Sequence, residues 1–114
     1  MKLQKIVKKY FKKCYRANEN KINYSQLKNL SQNQDSILID IRSPQEYKEG
    51  HLSYAINIPF YEISNQIIDI IKDKNSIIIL YCQSGHRSSK ILKELKKLNY
   101  KNVYELEGGL NEIY

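Results

Sequence analysis

A cysteine lies where a run of aliphatic residues gives way to a polar loop that opens a helix. Residues 77–81 have the composition of a parallel strand buried on both faces. Apolar residues then recur at helical spacing, namely Ile91, Leu92, Leu95 and Leu98. Cys82 therefore stands at the carboxyl end of the predicted strand, facing backbone N–H groups at the helix start that carry partial positive charge. This order favours a thiolate nucleophile beside an anion-binding loop.

The loop itself supplies the groups that an anion needs. Gly85 allows backbone angles closed to other residues, so that successive amides converge, and Arg87 adds a permanent positive charge within one turn. His86 either donates to a substrate or is simply an exposed loop histidine. Three other residues are expected to contribute mainly backbone donors, with side chains that shape the rim: Gln83, Ser84 and Ser88. Together these residues predict a binding site for an anionic substrate.

The alternative for Cys82 is a structural role in the core. Free cysteines are among the most buried residue types and usually behave as small hydrophobic residues. Here the six residues after Cys82 contain no aliphatic side chain, which indicates that the chain leaves the core by position 83. We therefore favour a reactive cysteine, because reactive thiols lie in electropositive loops.

Four motifs, in the expected order, resemble the rhodanese family of sulfurtransferases between about residue 22 and residue 114. Residues 82–88 look like the active-site loop of its single-domain members. The other matching segments are residues 38–42 with Glu46 and Tyr47, residues 50–52 with 55–59, and residues 103–104 with 106–110. Two departures stand out. Ser53 and Tyr54 replace the Pro-Gly that is common in the family, which changes a turn near the site, and Tyr114 takes the place of a late aromatic residue, often tryptophan.

The resemblance implies a sulfurtransferase without a cofactor. Cys82 would take sulfane sulfur from a small donor such as thiosulfate, hold it as a persulfide, and pass it to a thiol, a protein or cyanide. Residues 83–88 would bind the substrate, with Arg42 as a weaker candidate. Asp40 and Arg42 either tie neighbouring loops together or form a surface ion pair, and His51 is expected to satisfy a local turn. No metal site is expected, since the spacing of Cys14, His51, Cys82 and His86 is unlike that of zinc sites.

Two other functions remain open from the residues alone. The domain could be a sulfur carrier that moves persulfide between proteins with little turnover of small donors, because carrier and enzyme need the same persulfide. A cysteine-dependent phosphatase or arsenate reductase is less favoured, since four residues separate Cys82 from Arg87 whereas phosphatases resembling this fold use five. A phosphatase also needs a general acid, and no carboxylate lies in or next to the loop in sequence.

The elements that position the loop alternate between strands and helices. Strands are predicted at residues 22–24, 37–41, 55–58, 77–81 and 103–106, and helices at 25–30, from Pro44, around Ile63 to Ile71, and at 87–98, with a terminal helical turn. The helix around Ile63 to Ile71 is expected to have one thick apolar face, made of Ile63, Ile67, Ile68, Ile70 and Ile71. Alternation of this kind predicts an α/β fold of the rhodanese type, a mainly parallel sheet of about five strands with helices on both faces. In such sheets ligands bind beyond the carboxyl ends of the strands, where Cys82 falls.

The net charge of +7 lies entirely in residues 1–21, which hold eight of the nineteen Lys and Arg residues and one of the twelve acids. We interpret this segment as a basic amphipathic helix preceding a rhodanese-like domain at residues 22–114. Its apolar face contains Leu3, Ile6, Val7, Tyr10, Phe11 and Cys14, and its basic face Lys5, Lys8, Lys9, Lys12, Lys13 and Arg16. The helix either packs on the domain or docks on an acidic partner or an anionic membrane surface. No nucleic-acid partner is expected, because no nucleic-acid motif is present.

Composition favours the cytoplasm. A chain of 114 residues fits one domain that needs no disulfide, and two cysteines in unlike contexts suit a reducing compartment. No stretch is apolar enough to span a membrane, and the start of the chain lacks the apolar core of a signal peptide.

Overall fold

A computed structural model describes residues 20–33 and 35–113. Five parallel strands form one sheet in the order β1-β5-β4-β2-β3. The strands are β1 (Lys21–Ile22), β2 (Ser36–Asp40), β3 (Ile56–Asn57), β4 (Ile77–Tyr81) and β5 (Asn102–Leu106). The helices are α1 (Tyr24–Ser31), α2 (Pro44–Glu49), α3 (Ile63–Ile70), α4 (His86–Lys97) and a 3₁₀ helix, η1 (Gly109–Glu112). The predicted parallel α/β architecture is confirmed.

Local sequence explains where two of the helices begin. Asn23 caps α1, and its side chain accepts the Gln26 N–H while the Gln26 side chain accepts the Asn23 N–H. Ser43 caps α2 in the same way with Glu46, after which Pro44 occupies the first turn. Such reciprocal capping satisfies donors that a helix start otherwise leaves unpaired. The second cap fixes the chain just beyond the end of β2.

The sheet carries an apolar core on each face. One face packs against α1, the segment around Leu52 and η1, through Leu27, Tyr81, Tyr104 and Leu110 among others. The opposite face packs against α3 and α4, through Ile63, Ile67, Ile91 and Leu95 among others. Every residue of β4 is buried, which agrees with a central strand covered on both sides. The strand that leads directly to Cys82 is therefore fixed by packing on both faces.

Several predicted boundaries differ from the structure. β1 stops at Ile22 and α1 starts at Tyr24, because the cap at Asn23 ends the strand. β3 comprises only Ile56–Asn57, whereas residues 55–58 were expected, since an edge strand pairs on one side only. The expected thick apolar face of α3 is wrong for two residues: Ile63 and Ile67 are buried, but Ile68 and Ile70 are nearly half exposed.

The proposed N-terminal helix and Tyr114 lie outside the described residues. Within the described part of the chain, no helix is long and apolar enough to cross a membrane.

The carboxyl ends of the two central strands β4 and β2 lie side by side. Their pairing runs in register to Asp40 opposite Tyr81, and the Ile41 N–H donates to the Tyr81 carbonyl oxygen at 3.0 Å. The loop after β2 and the loop after β4 therefore leave the sheet at the same edge. This is the edge at which the sequence predicts a site.

Candidate active site at the carboxyl edge of the sheet

The Cys82 sulfur lies at the base of the loop that follows β4. The Gly85 N–H donates to Sγ over 3.0 Å, and Sγ lies 3.8 Å from the Ser88 hydroxyl oxygen. Only 2% of Cys82 is exposed, and it packs with the core face that contacts α3 and α4. The residues that follow, Gln83 and Ser84, are exposed. The chain thus leaves the core at position 83 as predicted, but the cysteine itself is buried.

Gly85 turns the loop into α4. Its φ of 92° lies in the left-handed region that favours glycine, and α4 begins at the next residue, His86. A Cβ atom at Gly85 would lie 3.2 Å from the Gly108 nitrogen, so a side chain would also press on the segment before η1. The turn and the close approach both require glycine here.

The segment at the start of η1, which contains Gly108 and Gly109, holds the loop from the other side. The Leu110 N–H donates to the Cys82 carbonyl oxygen and the Asn111 N–H to the Gln83 carbonyl oxygen, each at 3.0 Å. A Cβ atom on Gly109 would lie 2.5 Å from the Cys82 oxygen. The Gly-Gly pair therefore lets the closing segment bind the loop backbone directly, a contact that the sequence alone does not reveal.

Arg42 forms a buried ion pair with Asp40, not a surface pair. Its Nη2 lies 2.8 Å from Asp40 Oδ2 and donates to the Gly50 carbonyl oxygen at 2.5 Å, while Nη1 reaches Gln83 Oε1 at 3.5 Å. Burial lowers the pKa of Arg42 and the hydrogen bond and charge of Asp40 raise it, with a net increase, so the guanidinium stays charged. Arg42 therefore ties the loop after β2 to the loop after β4.

Arg87 is the exposed cation of the rim. Its guanidinium carbon lies 4.2 Å from the centre of the Phe60 ring. The pKa of Glu46 is lowered, first by the Ser43 N–H that donates to it and then by other groups that include the charges of Arg42 and Arg87. The two arginines thus act on one carboxylate from the two loops. Arg87 is exposed to solvent.

The remaining rim residues are exposed. Gln83 Nε2 donates to Asn111 Oδ1 at 2.8 Å, and the Ser84 hydroxyl lies 3.1 Å from His86 Nδ1. His51 stands apart from the Cys82 loop. Its ring stacks on Tyr47 at 3.6 Å and its Nδ1 lies 2.7 Å from the Tyr47 carbonyl oxygen, which is the local role expected for it.

Ser88 differs from the prediction that its side chain shapes the rim. It is fully buried, and its hydroxyl contacts the Gly85 carbonyl oxygen at 3.0 Å and Glu105 Oε1 at 3.1 Å. Ser89 reaches the same Glu105 oxygen at 2.7 Å. Glu105, in β5, is only 4% exposed, and the sequence did not predict it at the site because it lies far from the loop along the chain. A charged residue within an otherwise apolar strand was the available signal.

The turn at Ser53 and Tyr54 keeps a conformation suited to glycine. Tyr54 has a φ of 67° and is 90% exposed. The Ala55 N–H donates to the Leu52 carbonyl oxygen at 3.1 Å and closes the turn. The departure from Pro-Gly thus leaves a left-handed turn in place and adds strain at Tyr54.

The fold and the site define a class of protein: a parallel α/β domain with a cysteine in the loop between a central strand and a helix, whose sulfur accepts a backbone N–H of that loop. The model of the rhodanese-like domain family matches residues 23–114. The chain belongs to the rhodanese-like domain family.

Similar proteins fall into two groups. Thiosulfate sulfurtransferase PspE of Escherichia coli is 37% identical over 75 residues, covering 66% of this chain and 71% of PspE. The tRNA uridine(34) hydroxylase of Buchnera aphidicola is 42% identical over 86 residues, covering 72% of this chain but only 28% of the hydroxylase. The chain thus spans little more than a quarter of that relative.

Solved structures agree with this placement. A rhodanese with anions from E. coli superposes with a TM-score of 0.62 at 35% identity, covering 68% of this chain and 89% of that one. A human single-domain sulfurtransferase gives a TM-score of 0.72 at 20% identity, covering 82% and 94%, and supports the fold alone.

Proposed function

We propose that this protein is a sulfurtransferase that moves sulfane sulfur from a donor such as thiosulfate to a thiol or cyanide acceptor through a persulfide on Cys82. The observation that carries the proposal is the position of Cys82 Sγ at the base of a loop whose Gly85 N–H already donates to it. Amides aimed at a sulfur stabilise negative charge there, in the first half-reaction and in the second.

The reaction balances as two displacements. The Cys82 thiolate attacks the outer sulfur of thiosulfate; a sulfur–sulfur bond to Cys82 forms while the bond to the sulfonate sulfur breaks, and sulfite leaves with the electron pair. The acceptor then attacks the outer sulfur of the persulfide, and Cys82 leaves as the thiolate. The exposed Arg87 binds the incoming anion, and the exposed side chains of Gln83, Ser84 and His86 surround its path. Arg42 supports the loop through Gln83.

The matched shares of two relatives support sulfur transfer as the first candidate. PspE, named as a thiosulfate sulfurtransferase, is matched over most of its length, whereas nearly three quarters of the Buchnera hydroxylase lies outside the match. We therefore place sulfur transfer ahead of hydroxylation of a tRNA uridine. A carrier that hands persulfide to a protein uses the same Cys82 chemistry and differs only in its acceptor.

Steady-state formation of thiocyanate from thiosulfate and cyanide tests the proposal. The native chain should turn over, and Cys82→Ala should be inactive while Cys14→Ala keeps its activity. Activity that survives in Cys82→Ala would overturn the proposal. Sulfur delivery to a partner protein that is much faster than delivery to cyanide would identify the carrier form of the same function.

A further inference from the structure

A buried carboxylate lies one hydroxyl group away from the reactive sulfur. Ser88 Oγ lies 3.8 Å from Cys82 Sγ and 3.1 Å from Glu105 Oε1. All three residues are nearly inaccessible, with 2%, 0% and 4% exposure for Cys82, Ser88 and Glu105. Water is therefore largely excluded from this contact, and charges that share it act on one another with little screening.

The hydroxyl hydrogen of Ser88 is committed away from the sulfur. A serine has one hydrogen to donate, and its two oxygen neighbours, the Gly85 carbonyl oxygen and Oε1 of an ionised Glu105, can only accept a hydrogen bond. Ser88 consequently turns a lone pair toward Cys82, and a protonated thiol can donate to it. A thiolate in the same place would face a lone pair and, behind it, a carboxylate.

We propose that Glu105, acting through Ser88, disfavours negative charge on Cys82 Sγ and thereby slows discharge of the persulfide. The proposal rests on the proposed function. In the persulfide the inner sulfur is uncharged, which suits the Ser88 lone pair, and the negative charge sits one bond further from Glu105. When an acceptor takes the outer sulfur, the negative charge returns to Cys82 Sγ, and Glu105 therefore opposes this step. Glu105 is a positioning residue, and the Gly85 N–H acts in the opposite direction.

Charged groups around Glu105 come from each neighbouring element. On β1, Lys21 lies directly opposite Glu105 in the strand register. On α4, the first turn carries His86 and Arg87, both exposed, and Lys90 follows Ser89. In residues 20–33 and 35–113 the one ion pair closer than 4.0 Å is Arg42–Asp40, so Glu105 is held by hydroxyl groups and not by a cation.

The test compares Glu105→Gln with the native chain. Glutamine keeps an oxygen that accepts from both serines but removes the charge. At neutral pH the variant should be alkylated by iodoacetamide at Cys82 about tenfold faster or more, because the thiolate is the form that reacts and a charge this close, with little screening, disfavours it. Peptide mass analysis separates Cys82 from Cys14. The ultraviolet absorbance of the thiolate should rise, and cyanide should discharge the variant's persulfide faster.

Ser89→Ala is the matched control, because Ser89 touches the same carboxylate oxygen, whereas the hydrogen-bond partners of the sulfur are Ser88 and Gly85. It should leave the alkylation rate unchanged. Ser88→Ala removes the hydroxyl between the two groups and should raise the rate, which keeps the proposal testable if Glu105→Gln fails to fold. Slower alkylation of Glu105→Gln would mean that Glu105 accepts the proton of the thiol. An unchanged rate would mean that Glu105 only anchors the structure. Either result overturns the proposal. Alkylation needs no persulfide, so its outcome is independent of the proposed function.

Discussion

Two loops leave neighbouring strands at the same edge of the sheet, and they use their polar groups in opposite ways. In the loop after β2 the charged groups pair with one another: the Arg42 guanidinium is buried and binds Asp40 and the Gly50 carbonyl oxygen. The loop after β4 keeps Arg87 exposed and directs an amide at the Cys82 sulfur. One loop is therefore a brace, and the other is the binding site in the proposed sulfur transfer. Similar residue types do not imply similar roles.

The largest effect should come from exchanging the two arginines for methionine. Arg42→Met leaves Asp40 buried without its partner and should lower the free energy of unfolding by about 3 to 5 kcal/mol. Arg87→Met removes an exposed cation over Phe60 and should cost about 1 kcal/mol or less, yet weaken thiosulfate binding. Urea unfolding and the KM for thiosulfate measure the two effects. Equal losses of stability would erase the distinction between brace and binding site.

The next effect separates crowding from backbone strain at two glycines. Gly109→Ala places a methyl group within 2.5 Å of the Cys82 oxygen and should lower stability by about 2 to 4 kcal/mol, because well-packed backbone cannot move aside. Gly50→Ala is the control in the other loop. Its φ of 153° is also unusual, but a methyl group there meets nothing within 4 Å.

Thermal unfolding of both glycine variants checks this expectation. Gly50→Ala should cost about 1 to 2 kcal/mol, the strain of a backbone region that residues with a side chain rarely adopt. A Gly50→Ala variant as unstable as Gly109→Ala would show that contact with the Cys82 loop is not what requires Gly109.

A smaller effect, dependent on pH, should follow from Glu46→Gln. The ionised carboxylate accepts from the Ser43 N–H and hydroxyl at 3.2 and 3.1 Å, and the pKa of Glu46 is lowered first by that backbone donor. A lowered pKa in the folded state stabilises the protein above the ordinary glutamate value, and this contribution is lost as the pH falls through the folded value. The variant should be about 0.5 to 1 kcal/mol less stable at pH 7.

Urea unfolding at neutral and at strongly acidic pH measures this difference. The gap between the native chain and Glu46→Gln should close in acid, where both side chains are neutral. A gap of constant size would mean that the charge of Glu46 contributes nothing to the cap of α2.

The smallest effect should be a gain in stability. Tyr54→Gly relieves a left-handed backbone at a residue that is 90% exposed, so little packing is lost. The relief of about 1 to 2 kcal/mol is offset by the greater freedom of glycine in the unfolded chain, leaving a net gain of about 0.5 kcal/mol. A rise of a few degrees in the melting temperature is expected. A fall would indicate that the tyrosine ring makes a stabilising contact.

The sequence was a good guide to what is local and a poor one to what is tertiary. The apolar run before Cys82, the glycine at position 85 and the helical spacing after it were enough to place the sulfur at a strand end. The burial of Ser88 was not foreseeable, because it depends on Glu105 from a strand seventeen residues later. The close approach of Gly109 to the Cys82 oxygen was not foreseeable either, because it also joins segments that are far apart along the chain.

The outer face of α3 shows the same limit. Ile68 and Ile70 read as core residues, because isoleucine is usually buried, but the helix turns both toward solvent. Composition describes how apolar a segment is, whereas burial depends on which side another element covers. The Arg42–Asp40 pair shows the opposite error. From the sequence a surface ion pair was as plausible as a brace between loops, but the structure buries both side chains.

Intact-protein mass spectrometry after treatment with thiosulfate tests the central claim most directly. The native chain should gain one sulfur atom, Cys82→Ser should gain none, and cyanide should remove the sulfur while forming an equivalent amount of thiocyanate. A native chain that gains no sulfur from thiosulfate, or a Cys82→Ser variant that still gains it, would contradict a persulfide cycle on Cys82.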